Sequence, residues 1–278
     1  MRVAAAILAL LLAAAMPPAG AQAPPPVPLD HLPALRGGYF HLPWPEQQRG
    51  FHIYVRLPMD YAEQPDRRYP IVYLLDGDSL FPILAANHLF LTYEEELPEA
   101  IVVGIAYGGF GAENRRVVDF TAPAPGIAAE AAGAPAFHAF LKDRLIPEVE
   151  RRYRADPSRR ILFGQSLGGS FAIYSAFTDP DLFWGRIASN PVVERFRGLF
   201  FGPAPTAARR DLGLIVTSGT RDRPPLREGA LAWFQAWSGR SGTPWRIHTV
   251  TIEGGTHAAN SSDSYRAGLL WLFRTRRL

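Results

Sequence analysis

Arg160-Ile161-Leu162-Phe163-Gly164-Gln165-Ser166-Leu167-Gly168-Gly169 is the stretch on which the reading of this chain turns. Its first four residues read as a short strand. An apolar segment with Phe171, Ala172, Tyr174, Ser175 and Phe177 follows and reads as a helix. Between them lies G-x-S-x-G, in the strand–turn–helix context of a nucleophile elbow. Ser166 must occupy a sharp, strained turn, so its neighbours must be small. Gly164 and Gly168 let strand and helix approach closely. The hydroxyl then stands clear of the sheet. The Leu167 N–H, at the helix start, points to where a negative oxygen would develop.

A serine hydroxyl is a poor nucleophile at neutral pH, so the motif demands a base. Only His248 and His257 follow Ser166. His248 falls inside the alternating strand 245–252, where a strand-face role is expected. His257 closes Glu253-Gly254-Gly255-Thr256-His257, a glycine loop after the last strand, and is the candidate base. The acid to orient it stays open. Asp222 follows the strand 212–217, and the chain order Ser, acid, His favours it. Glu228 begins the next helix, where a negative charge is favourable anyway. Glu253 is near in sequence, and a dyad without acid is the remaining alternative. A second oxyanion donor is expected from Asp76-Gly77-Asp78-Ser79, after the strand 71–75, as the backbone N–H of Asp78. Asp76 and Asp78 resemble half of a calcium loop, but Phe81 and Pro82 break that pattern, so no metal is expected.

Outward from the elbow, short apolar runs at 71–75, 101–106, 161–163, 186–189, 212–217 and 246–252 alternate with helical segments. Such runs read as buried parallel strands. The stretches 38–42 and 51–57 read as an antiparallel pair ahead of them. Helices are expected over 136–154, 226–237 and 262–273. Phe137, Leu141, Leu145, Val149 and Tyr153 give the first an apolar face, and Pro147 should kink or split it. The fold class is α/β, a doubly wound, mostly parallel sheet with helices on both faces. The loops 121–135 and 196–210 are long. The second carries Phe196, Leu199, Phe200 and Phe201, which suggests a lip of the site; Phe200 and Phe201 are its candidate substrate contacts.

The chain has 278 residues, 47% hydrophobic and 20% charged, with 25 glycines and 26 prolines. This composition excludes a disordered or fibrous chain. The formal charge is +3 and Lys142 is the only lysine. Without a basic stripe interleaved with aromatics, nucleic acid is not an expected partner. Cysteine is absent, which excludes disulfides, thiolate metal sites and a cysteine nucleophile. Arg2 followed by the apolar run 3–16 reads as a signal peptide, 1–21, cleaved after Ala21. The run is shorter than the ~20 residues a membrane helix needs, so no stable insertion is expected after cleavage. A Pro-rich leader, 22–37, and one catalytic domain, 38–278, complete the expected organisation, with a periplasmic or secreted location.

Four strings together carry a resemblance: Tyr69-Pro70-Ile71-Val72-Tyr73-Leu74-Leu75-Asp76-Gly77; Arg115-Arg116 through Asp119-Phe120-Thr121-Ala122-Pro123; Gly164 to Gly169; and His257. The chain resembles the esterase group of α/β-hydrolases that includes esterase D, feruloyl esterases, mycolyltransferases and hydrolases of trilactone siderophores such as enterobactin and bacillibactin. The first two strings lean toward the siderophore branch. The resemblance implies an α/β-hydrolase fold without cofactor, Ser166 as nucleophile, His257 as base, and an oxyanion hole from the N–H groups of Asp78 and Leu167. It supports Asp222 as acid. A siderophore ester is the implied substrate, with Arg115, Arg116 and Arg195 suited to anionic catecholates. Ser189-Asn190-Pro191 departs from the more frequent Ser-Pro-Ser, and Asn190 is a further candidate substrate contact. Feruloyl, carbohydrate-acetyl or small acyl esters are the alternative substrates. An acyltransferase and a non-catalytic binding protein are the rival functions.

Overall fold

The computed structural model describes residues 32–274. The expected signal peptide and the first part of the leader lie outside the described residues. The apolar runs form one eight-stranded sheet. Its strands are β1 (Gly37–Trp44), β2 (Arg49–Arg56), β3 (Tyr69–Leu74), β4 (Ile101–Ala106), β5 (Ala155–Gln165), β6 (Gly185–Ser189), β7 (Leu212–Gly219) and β8 (Trp245–Ile252). They lie in the order β1-β2-β4-β3-β5-β6-β7-β8. β1 pairs antiparallel with β2, and β2 antiparallel with β4; the other pairs are parallel.

The helices are α1 (Gly77–Glu94), α2 (Arg116–Asp119), α3 (Ala134–Phe140), α4 (Ile146–Arg152), α5 (Leu167–Thr178), α6 (Arg197–Phe200), α7 (Pro224–Trp237) and α8 (Ser261–Arg274). Successive strand side chains point to opposite faces, so each central strand feeds two cores. Ile71, Tyr73, Val103, Leu162 and Val216 pack with α3–α5 and α7, while Val72, Leu74, Val102, Phe163 and Ile215 pack with α1 and α8. β1 carries one half-buried and one exposed face, as an edge strand does.

The expected split of the helix over 136–154 is present, and two other expectations need correction. The helix over 136–154 is divided by a π-turn, Leu141–Leu145, where the Ile146 N–H reaches back to the Leu141 carbonyl. Pro147 has no N–H to continue the ladder; it sits at the second position of α4, where none is needed. The leader does not stay separate up to residue 37. Pro33–Leu35 forms a 3₁₀ turn, Leu35 packs on the α1–α8 core, and β1 starts at Gly37. The segment 196–210 supplies no lip to the site: Phe196 and Phe200 are buried in the core and α6 begins at Arg197.

Candidate active site

β5 delivers Ser166 at the head of α5 with φ 58° and ψ −121°, the strained turn a nucleophile elbow requires. Its N–H is held by the Ser189 carbonyl at 2.8 Å. Leu167 is the first residue of α5 and Asp78 the second of α1. Both N–H groups therefore belong to the first turns of helices, where intrahelical acceptors are lacking. Two helix N-termini thus meet beside Ser166.

β7 and β8 bring the other two side chains. Their exit loops cross so closely that a Cβ on Gly219 would lie 2.2 Å from the Gly255 carbonyl oxygen. Thr220 N–H donates to Ile252 O at 3.0 Å and Arg221 N–H to Gly255 O at 2.8 Å. These bonds bind the Asp222 turn to the His257 loop. His257 Nε2 lies 2.8 Å from Ser166 Oγ, and Nδ1 lies 3.0 Å from Asp222 Oδ1. With its proton on Nδ1, the imidazole donates to Asp222 and leaves Nε2 to accept from the serine hydroxyl. The Asp222 side chain is fully shielded from solvent; the imidazole is about a quarter exposed, at 23%. Glu228 and Glu253 are exposed and do not hold this position; Glu253 instead accepts from Thr220 Oγ1.

The site opens into a pocket of about 520 Å³ with Leu80, Ile83 and Phe110 among its walls. Arg116 also lines it, but Nε and Nη2 donate to the two oxygens of Asp76 at 2.6 and 2.9 Å. Burial pushes the Asp76 carboxyl above the usual carboxylate range, against the pull of Arg116. Asp78 accepts from the Tyr107 and Gly108 N–H groups, each at 2.8 Å. Both aspartates of the supposed half calcium loop are therefore engaged, and no metal-holding cluster occurs among the described residues.

Several expected substrate contacts lie elsewhere. Phe200 is fully buried, and its carbonyl accepts from the indole N–H groups of Trp233 and Trp237. Phe201 packs on the same core beneath the Arg197 guanidinium. Neither ring lines the serine pocket. Arg115 and Arg195 are exposed and do not line it either.

Asn190 is buried as well, at 1% exposure, with φ 43°. Its amide donates to the His257 carbonyl at 2.7 Å, and its oxygen accepts from the Gly219 N–H at 2.9 Å. It braces the histidine loop rather than facing the pocket. Gln165, next to the nucleophile, donates its side-chain amide to the same His257 carbonyl. The sequence reading passed over Gln165, the Asp76–Arg116 pair and Phe110. Only Gln165 carried a local signal, as the variable residue of the elbow motif.

A mostly parallel sheet, a serine on a strained strand-to-helix turn, and an aspartate and a histidine on the exits of β7 and β8 define an α/β-hydrolase. The family model described as "Putative esterase" matches residues 45–271. The chain belongs to that family. It is 32% identical over 166 residues to the ferri-bacillibactin esterase BesA of Bacillus subtilis, covering 53% of this chain and 55% of that protein. It is 30% identical over 186 residues to the siderophore triacetylfusarinine C esterase of Aspergillus fumigatus, covering 61% and 59%. The chain thus spans little more than half the length of these curated relatives. Among solved structures, the siderophore hydrolase EstB from Aspergillus nidulans has the same fold, with a TM-score of 0.74 at 21% identity over 87% of this chain and 96% of that one.

Proposed function

We propose that this protein is an exported serine hydrolase of carboxylic esters, with a siderophore-type ester as its substrate. The observation that carries the reading is the continuous hydrogen-bonded line from Ser166 Oγ through His257 to Asp222. The names of the two curated relatives support the substrate class. Export rests on Arg2 and the apolar run 3–16, with Gln22 as the first residue of the mature chain.

In this mechanism Ser166 Oγ attacks the ester carbonyl while His257 Nε2 takes its proton. Asp222 stabilises the resulting imidazolium. The N–H groups of Leu167 and Asp78 receive the oxyanion of the tetrahedral intermediate. Collapse of that intermediate breaks the ester C–O bond, and the leaving alcohol takes the proton from His257. Water, deprotonated by the same imidazole, then attacks the acyl-serine. Its collapse frees the acid and returns the proton to Ser166.

A fluorophosphonate tests the nucleophile. Peptide mapping should find the adduct on Ser166 alone. Ser166→Ala should abolish labelling and lower kcat by a factor on the order of 10⁴–10⁶. Labelling that survives in the alanine variant removes Ser166 from this role.

A further inference from the structure

A second cavity, of about 490 Å³, lies against the serine pocket and shares Asp78 and Phe110 with it. Leu35, Tyr54, Phe81 and Pro82 form much of its wall. Tyr54 and Phe81 stack with ring centroids 5.7 Å apart and planes at 29°, and the Tyr39 ring lies tilted with its centroid 5.2 Å from that of Tyr54. The result is a row of aromatic rings beside the cavity. Phe110 is 79% exposed. So large an exposed ring, standing between two apolar hollows, fits a ridge that a ligand straddles.

Charge narrows the ligand. Arg116 is the one cation among the lining residues of either cavity, and two of its nitrogens are committed to Asp76. The second cavity is lined by a single charged side chain, Asp78. An anionic arm entering there would give up water with no counter-charge to meet it.

We propose that the second cavity is a subsite for a second, uncharged aromatic or apolar arm of the substrate, with Phe110 as the ridge between the arms. The inference rests on the hydrolase reading of Ser166 and gives it a substrate shape: an ester with at least two arms, one held at the serine and one beyond Phe110. Contacts with the remote arm lie away from the reacting carbonyl and act through binding, hence on KM.

Ethyl benzoate and ethylene glycol dibenzoate make the test, because they present the same benzoyl ester without and with a second arm. Burying the second ring should lower KM by about tenfold or more. Leu35→Trp fills the cavity and Tyr54→Ala removes the stacking wall, and neither residue lines the serine pocket. Each should return KM for the dibenzoate toward that of ethyl benzoate, while ethyl benzoate turnover stays within about twofold of wild type. A 4-carboxybenzoate diester should bind about tenfold more weakly than the dibenzoate. Equal effects of the variants on both esters, or no effect on either, overturn the subsite. A carboxylated arm that binds as well as the neutral one overturns its uncharged character. If wild-type protein cleaves neither ester, the hydrolase reading is what fails. Calorimetry with N,N′-ethylenebis(benzamide) against N-ethylbenzamide then decides the cavity: tighter binding of the two-armed amide, lost in Leu35→Trp, supports it, and equal binding overturns it.

Discussion

Asp222 and Asn190 hold the same histidine from opposite ends, and their substitutions should separate two kinds of support. Asp222 Oδ1 faces the His257 ring at Nδ1. Asp222→Asn keeps the shape but presents a donor option where an acceptor is needed, favouring the wrong tautomer. Its kcat should fall by about 10⁴-fold, with KM little changed. Steady-state kinetics check this, and near-full activity would leave a Ser–His dyad as the working unit. Asn190 instead grips the His257 main chain, through the carbonyl that Gln165 also holds. Asn190→Gly relieves a left-handed backbone at φ 43° but lets that loop relax. A displacement of about 1 Å is worth up to 10²-fold, so kcat should drop by about ten- to a hundredfold. An unchanged kcat would show that the loop keeps its position without the amide.

At the level of elements, the crossing of β5 and α5 sets the site, and Gly164 sets the crossing. A Cβ there would lie 2.1 Å from the Gly168 carbonyl oxygen, a backbone atom that cannot swing away. Gly164→Ala should therefore destabilise by about 3 kcal/mol or more, the upper end for overpacking. Gly198→Ala, in α6 with nothing within 4 Å of the new methyl, should be neutral or slightly stabilising. Urea unfolding of the two variants makes the comparison, and similar midpoints would refute it. This crossing was readable in the sequence because its signal is local: strand, glycines, serine and helix are contiguous. β4 was equally legible, since Ile101–Ala106 is buried throughout and bounded by turns. α1 was not. Leu80, Leu84 and Leu91 face the core while Ile83, Phe90 and Tyr93 are exposed, so apolar residues surround the helix and erase its periodicity. The phenylalanines at 196–201 misled for a related reason. Phe200 packs on Phe177 of α5, and its carbonyl is held by Trp233 and Trp237 of α7, more than 30 residues away, which no local pattern reports. The same holds for the brace on His257, whose amides come from Gln165 and Asn190 across 92 and 67 residues.

Across the whole molecule, the two cores have a common acid-sensitive feature: each encloses a histidine away from the serine. His88 of α1 is fully buried beside Tyr265 of α8, with the Arg56 charge nearby. Burial, reinforced by Arg56, lowers its pKa to about 3. His138 of α3 lies against Phe171 and Tyr174. Burial lowers its pKa to about 4, with Arg186 and Lys142 adding to the effect and Asp179 and Asp143 opposing it. Both rings are neutral in the folded protein, whereas the unfolded chain protonates them below about pH 6.5. The unfolded state then binds more protons, so stability rises with pH through this window. The contribution is complete above pH 6.5 and is lost as pH falls toward 4, at up to about 1.4 kcal/mol per pH unit for each histidine. The raised carboxyls of Asp76 and Asp119 act in the opposite sense, stabilising at low pH and losing that contribution as pH rises above the usual carboxylate value. Histidines are the side chains that titrate between pH 6.5 and 5.5 in the unfolded chain, and His248, whose pKa burial also lowers, adds to the same slope. Urea midpoints at pH 7.5, 6.5, 5.5 and 4.5 should be level across the first pair and fall thereafter. His138→Phe, which keeps an aromatic ring against Phe171 and removes the buried Nε2 that has no hydrogen-bond partner, should flatten the fall by one histidine's share. A wild-type profile flat from pH 6.5 to 5.5, or a variant with the same slope, would mean that these rings admit a proton without opening the cores around them.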